Sequence, residues 1–342
     1  MNSFTNHTVS TGRGIGLEPS RVQFIESILP EHLGAPGTVA PGFDQRAEKI
    51  IQWAHRRLFI EEASVATVRQ ELHRWLKSVR LFAVTSGKGG VGKTTVSVNL
   101  SIALAQRGLR TLVFDADLGM ANVHVFAGVN PRATLLEVLD RGASLESVIT
   151  PGPGGVDLIC GASGIGRLAD LSASTLESLG RELLRVAADY DVLLIDTGAG
   201  IAQGVMHFLG LAQDTVLVAT PNLAATLDAY GVIKLAHERN LSTRMHLLVN
   251  QAQDAADAAR VRERIAGCAQ RFLRSTPGDF GYLVRDAAME EANQSRRPLL
   301  LTNPGHPNAL QLSRVAAALV GADASTDLPS IDQETRSGIH AA

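Results

Sequence analysis

Cysteine is nearly absent from this 342-residue chain. The two present, Cys160 and Cys268, lie far apart and form no CxxC pair. A disulfide framework is excluded, and a zinc or iron–sulfur site on one chain is not expected. A reducing cytoplasm is the expected compartment. Aromatic residues reach only 4%, so the core must rest on Leu, Val, Ile and Ala, which a hydrophobic content of 45% supplies. With a net charge of -2 there is no bulk basic field for nucleic acid or an anionic membrane, although a local basic patch stays open. No apolar run approaches the roughly 20 residues of a membrane helix. The N-terminus has no apolar stretch of the kind a signal peptide carries.

What is present reads as four stretches. Residues 1–43, rich in Gly, Pro, Ser and Thr, form a flexible lead with a short helix at 21–29. Residues 44–78 are a helical extension. Ile50, Ile51, Ala54 and Leu58 share one face, as do Val65, Val68, Leu72, Trp75 and Leu76, while Arg56, Arg57, Arg69, Arg74 and Lys77 take the other. This extension either packs on the main domain or docks a partner or membrane surface. From 79 to 320 the chain alternates strand and helix. Short apolar runs predict strands at 81–85, 111–114, 156–160, 192–195, 215–219, 246–249 and 281–284. Helices are predicted at 93–106, 175–188, 224–239, 254–273 and 307–320. This alternation predicts an α/β fold with a mostly parallel, doubly wound sheet. The tail, 321–342, is small and polar and reads as disordered.

The segment Gly87-Lys88-Gly89-Gly90-Val91-Gly92-Lys93-Thr94 fits G-x-x-x-x-G-K-[ST], after a predicted strand and at the start of a predicted helix. Its glycines let the backbone curl so that N–H groups point at phosphate oxygens. The helix N-terminus adds partial positive charge. Lys93 can reach the β- and γ-phosphates, and the Thr94 hydroxyl can ligate Mg²⁺. ATP and Mg²⁺ are therefore the expected ligands. The longer string from Lys88 to Thr95 resembles the deviant Walker A motif of the MinD/ParA ATPases. The resemblance implies that Lys88 crosses a homodimer interface to the partner's nucleotide, so that dimerisation couples to ATP binding.

Carboxylates follow at strand ends, where a parallel sheet presents its ligand crevice. Asp115 and Asp117 close the strand predicted at 111–114. Asp117 is assigned to orienting the attacking water and Asp115 to support near Mg²⁺. Asp196 ends the apolar run from Val192 in the Walker B manner and would hold Mg²⁺ through water. Thr197-Gly198-Ala199-Gly200 is expected to be a mobile switch loop. In the resembling family an Asn at the position of Asn250 bonds the adenine, and the segment around Asp286 borders the base.

The stretch from Asp115 to Val125 (DADLGMANVHV) is similar to that of the flagellar-number regulators, the FlhG/FleN group, with His124 at a position acidic there. Gly161-Ala162-Ser163-Gly164-Ile165, Leu168-Ala169-Asp170-Leu171, Leu227-Asp228-Ala229-Tyr230 and Arg297-Pro298-Leu299 are similar as well. That group implies a cytoplasmic ATPase, also found peripherally at the inner face of the membrane, that limits flagellar number; hydrolysis is expected to be slow, because the sequence shows no strong acid–base group beyond Asp117. Its implied partner is a flagellar GTPase, stimulated through an N-terminal Asp-Gln segment for which Asp44-Gln45 is the counterpart here. The group's C-terminal amphipathic membrane helix has no counterpart in 321–342, so direct membrane binding is expected to be weak or absent. Two alternatives stand beside this. A DNA-segregation ATPase would use Arg260, Arg262, Arg264, Arg271 and Arg274, although interspersed acids such as Asp257 and Glu263 favour a salt-bridged surface. A nucleotide-stabilised scaffold would turn over little. An iron–sulfur electron carrier lacks its cysteines, and a double-P-loop pump lacks its second loop.

Overall fold

The computed structural model describes residues 79–162 and 171–321. The lead (1–43), the helical extension (44–78), residues 163–170 and the tail from 322 lie outside the described residues, and so do the expectations that fall on them.

The described strands form one eight-stranded sheet: β1 (Arg80–Ser86), β2 (Thr111–Ala116), β3 (Ile149–Pro151), β4 (Val156–Ile159), β5 (Val192–Ala199), β6 (Asp214–Ala219), β7 (Arg244–Ala252) and β8 (Gly278–Val284). Their spatial order is β3-β4-β2-β5-β1-β6-β7-β8. Every neighbouring pair is parallel except β3 with β4. The helices are α1 (Lys93–Ala105), α2 (Val123–Phe126), α3 (Leu135–Arg141), α4 (Ala173–Ala187), α5 (Gln203–Leu211), α6 (Leu223–Glu238), α7 (Ala255–Leu273), α8 (Ala287–Gln294), α9 (Leu299–Thr302) and α10 (Pro307–Leu319). This is the doubly wound α/β fold that the alternation predicts.

Strand side chains alternate between two hydrophobic layers, because successive residues point to opposite faces of a sheet. In β1, Leu81 and Ala83 join the layer under α4 to α7, whereas Phe82 and Val84 join the layer under α1, α8, α9 and α10. Helix α7 buries Ala258, Val261, Ile265 and Ala269 at helical spacing and turns its arginines outward. Helix α1 is different, buried on nearly every side. Its hydroxyl and amide side chains are bonded internally. Asn99 donates to the Thr95 carbonyl and accepts from the Leu300 amide, while Ser101 donates to the Val98 carbonyl.

Several elements differ from the expectation. Strand β5 runs on through Thr197 to Ala199, so most of the expected switch loop is sheet: the Thr197 hydroxyl donates to the Val84 carbonyl and Ser86 pairs with Ala199. Strand β3 is three residues long, too short to show alternation. Helix α5 buries Val205, Met206, Phe208 and Leu209, and its apolar run with Gly204 and Gly210 carries no one-sided stripe to recognise.

At the N-terminal end of the sheet, Asp214 on β6 ties three strands together. Arg244 on β7 donates to both its oxygens, at 2.7 and 2.6 Å, and His246 lies 2.7 Å away, stacked on Phe280 of β8. Burial would raise the Asp214 carboxyl, but the hydrogen bonds from His246 and Arg244 outweigh it and hold the group below the usual range. A carboxylate lowered in the folded state stabilises above its unfolded value, about 3.9, and the contribution is lost as pH falls through the folded value. Asp214→Asn is expected to cost about 2 kcal/mol at neutral pH. The melting-temperature gap to the parent should narrow at about pH 3. An equal gap at both pH values would show that the Asp214 charge is not what the cluster needs.

Candidate functional site

Residues 87–92 turn the chain from β1 into α1. The turn is held from several sides. The Ser86 hydroxyl donates to the Lys88 carbonyl at 2.7 Å, and the Gly200 amide, beyond β5, donates to the Ser86 carbonyl at 2.8 Å. Gly87 lies against the backbone of α6: a Cβ there would come within 2.1 Å of the Asp228 carbonyl carbon. Gly92 has φ +90°, left-handed backbone that a side chain would strain. No side chain caps α1, so its first amides are left for a ligand. Lys88, Gly89 and Gly90 are exposed at the tip, while Val91 and Lys93 are buried and Thr94 is half-buried. Thr95 is buried and its hydroxyl donates to the Asn293 side-chain oxygen on α8 at 3.2 Å.

Behind the loop, Thr94 and Asp196 meet. The Thr94 hydroxyl donates to Asp196 Oδ2 at 2.8 Å, and the Ser97 hydroxyl donates to Oδ1 at 2.6 Å. Asp196 is buried, and burial pushes its carboxyl up to about 6 against the opposing pull of the Ser97 hydrogen bond, the Lys93 charge and the Thr94 hydrogen bond. Asp115 pairs with Asp196 in the β2–β5 register and is also buried. Burial first, and then the Asp196 charge, raise Asp115 well above the carboxylate range. Its oxygens accept from the Val123 amide at 3.0 Å and the Asp117 amide at 3.2 Å, which hold the loop after β2. Asp117 is half-buried and its Oδ1 accepts from the Met120 amide at 3.2 Å. Gly198 faces it: a Cβ there would sit 3.6 Å from Asp117 Oδ1.

Among the described residues no three His, Cys, Asp or Glu side chains converge to hold a metal alone. The donors present are hard oxygens, the Thr94 hydroxyl and the Asp196 carboxylate. That set suits Mg²⁺, which is commonly held by one or two carboxylates together with substrate phosphates.

Two residues expected at the base also make contacts within the chain. Asn250, at the C-terminal part of β7, is buried, and its Nδ2 donates to the Val91 carbonyl at 2.8 Å, latching the loop. Asp286 caps α8, accepting from the Ala288 amide at 2.7 Å, and lies 3.2 Å from His306, itself the cap of α10. His124 sits on α2 beside Arg296. Burial, and then the Arg296 charge, lower its imidazole. A neutral ring tolerates that neighbour. Ser97 is the site residue that motif reasoning missed; its only signal is its place three residues after Thr94, one turn along the same helix face.

The fold and loop define the class: an α/β protein with the P-loop nucleotide-binding fold. Residues 82–331 match the CobQ/CobB/MinD/ParA nucleotide binding domain, and the chain belongs to that family. It is 36% identical over 238 residues to the antiactivator FleN of Pseudomonas aeruginosa, covering 70% of this chain and 85% of that protein. It is 30% identical to the flagellum site-determining protein YlxH of Helicobacter pylori, covering 71% and 82%. Among solved structures, the cell division ATPase MinD of Pyrococcus furiosus superposes with a TM-score of 0.59 at 26% identity, covering 71% of this chain and 99% of that one. Within the family, the chain lies close to the FlhG/FleN group.

The Asn250 contact generates a test. If the residue serves as a latch, Asn250→Ala weakens ATP and GTP alike, by about fivefold for one lost hydrogen bond. Competition against a fluorescent nucleotide measures both. A selective loss for ATP would assign Asn250 to the base instead.

Proposed function

We propose that this chain is a MinD/ParA-type ATPase that dimerises on ATP and regulates the number or placement of flagella or a similar appendage. The observation that carries the dimer is the surface around the phosphate loop. Lys88 is exposed at its tip, and four large apolar side chains face solvent at 53–70% exposure: Met120 and Ile201 in the loops after β2 and β5, and Leu223 and Leu227 in the first turns of α6. Leu227 precedes Asp228, whose backbone touches Gly87, and Ile201 follows Gly200, bonded to Ser86. An apolar rim round an exposed lysine suits a second copy laid over the loop.

The residue roles in this reading are as follows. The 87–92 backbone, Lys93, Thr94 and Thr95 bind the phosphates of ATP. Thr94, and Asp196 through water, hold Mg²⁺, which supplies charge neutralisation at the phosphates when bound. Asp117 orients the attacking water. The water attacks the γ-phosphorus, the bond to the ADP oxygen breaks, and ADP and phosphate leave. Asp115 supports this indirectly, through the amides of Asp117 and Val123. Lys88 completes the partner's site. Asp117 is the one group assigned to the water, and orienting a water supplies modest acceleration, so turnover is slow and raised by a protein partner. Asn250 and Asp286 border the base.

The appendage role rests on similarity to an antiactivator and a flagellum site-determining protein, and the partner is then a flagellar GTPase or another appendage regulator. The setting is the cytoplasm or the inner membrane face. No described helix is long and apolar enough to cross a membrane. The DNA-segregation reading has less support: Arg260 pairs with Asp257 and Arg262 with Asp279, which leaves Arg264, Arg271 and Arg274 as its exposed cations.

Solution mass tests the switch. The wild-type chain is expected to be monomeric with ADP and dimeric with ATP, the dimer persisting in Asp117→Ala and absent in Lys88→Ala. A monomer throughout, or a dimer indifferent to nucleotide and to Lys88, would overturn the sandwich and favour a scaffold.

A further inference from the structure

Ser97 lies wholly inside the protein, on a helix whose other buried serine behaves differently. A serine within a helix ordinarily returns its hydroxyl proton to a carbonyl three or four residues back. Ser101 follows that rule with the Val98 carbonyl, and Ser313 on α10 does so with Ala309. Ser97 instead donates across to β5, to Asp196 Oδ1 at 2.6 Å. Thr94 takes the other oxygen at 2.8 Å. The two hydroxyls stand three residues apart, on one face of α1, and between them fix the plane of the carboxylate. Their positions are not equivalent. Thr94 is at the loop, half-buried and open to a ligand; Ser97 is one turn deeper and closed to solvent.

We infer that Ser97 is a positioning residue for magnesium: it touches neither ion nor nucleotide, and it aims Asp196. The inference rests on the Mg²⁺-nucleotide reading of the site. Thr94 has two lone pairs and one proton, so it can present oxygen to the cation and still donate to Asp196. Asp196 Oδ1 has its own anchor in Ser97, which the cation does not disturb. Without it Thr94 alone restrains the carboxylate about its terminal torsion, a broad and soft one, and the acceptor for a metal-bound water is less well ordered. Partners of this kind outside the ligand shell typically alter metal affinity by 10- to 100-fold.

The experiment is a Mg²⁺ titration of the full chain bound to a fluorescent ATP analogue, for the parent and Ser97→Ala, with binding in EDTA and melting temperature measured beside it. Alanine suits a helix interior, so the fold is expected to persist. The half-saturating Mg²⁺ concentration should rise about tenfold, while metal-free nucleotide binding stays at the parental value; the melting temperature falls modestly, because Asp196 Oδ1 loses a buried partner. Superimposed titrations would overturn the inference, leaving the nucleotide site intact. So would a matching tenfold loss of metal-free nucleotide binding, since Ser97 would then hold the loop. A parent that shows no Mg²⁺ response removes the reading of the site, and this inference with it. Thr94→Ala, which strips the metal donor itself, sets the scale of a full loss.

Discussion

Asp115 and Asp196 stand opposite each other in the β2–β5 register, and neither meets solvent. Two carboxylates in a medium of low dielectric raise each other's proton affinity and destabilise the fold unless their surroundings compensate. The compensation organises this end of the molecule. Two backbone amides close on Asp115, and that contact shapes the turn from β2 to α2. Two hydroxyls close on Asp196, and both come from α1. Helix α1 can present them only if the chain reverses sharply after β1, and the loop that does so is the phosphate loop. The acids, the loop and the most deeply buried helix therefore stand or fall as one unit.

The strands and the loop were legible because each rests on short-range chemistry. Apolar runs such as residues 192–195 have few alternatives to a covered strand, and glycines with Lys93 and Thr94 between strand and helix have few alternatives to an anion cradle. What escaped depends on contacts distant in sequence. Asn250 reads as a polar residue at a strand end, and nothing local says that its amide reaches back 159 positions to Val91. Asp286 also caps α8, a contact within its own segment. The extension of β5 over Thr197 and Ala199 was hidden because small residues carry weak strand preference, and the pairing comes from β1. Ser97 looked like one more small residue in a helix.

Stability and chemistry sit at opposite ends of the same strands. The cluster of Asp214, Arg244 and His246 joins β6, β7 and β8 where those strands begin, and the phosphate loop lies where they finish, roughly 16 Å away at the rise of a strand. Charges so separated, with no shared partner, are independent to a first approximation. The sheet between them is apolar on both faces and works as a rigid spacer.

Of the loop's four glycines, Gly90 is left-handed (φ +78°) with open space around it, and the other three fall into two kinds. Those at 87 and 92 answer to the chain itself: the one has a helix backbone against it, the other a left-handed turn and the Asn250 amide. Gly89 answers to neither, since a methyl group there would meet nothing and its backbone is of the ordinary sort. Folding alone leaves that position open to many residues. An alphabet restricted at 87 and 92 but permissive at 89 is what the isolated chain dictates, so any restriction on 89 in living lineages would measure the demands of molecules outside it.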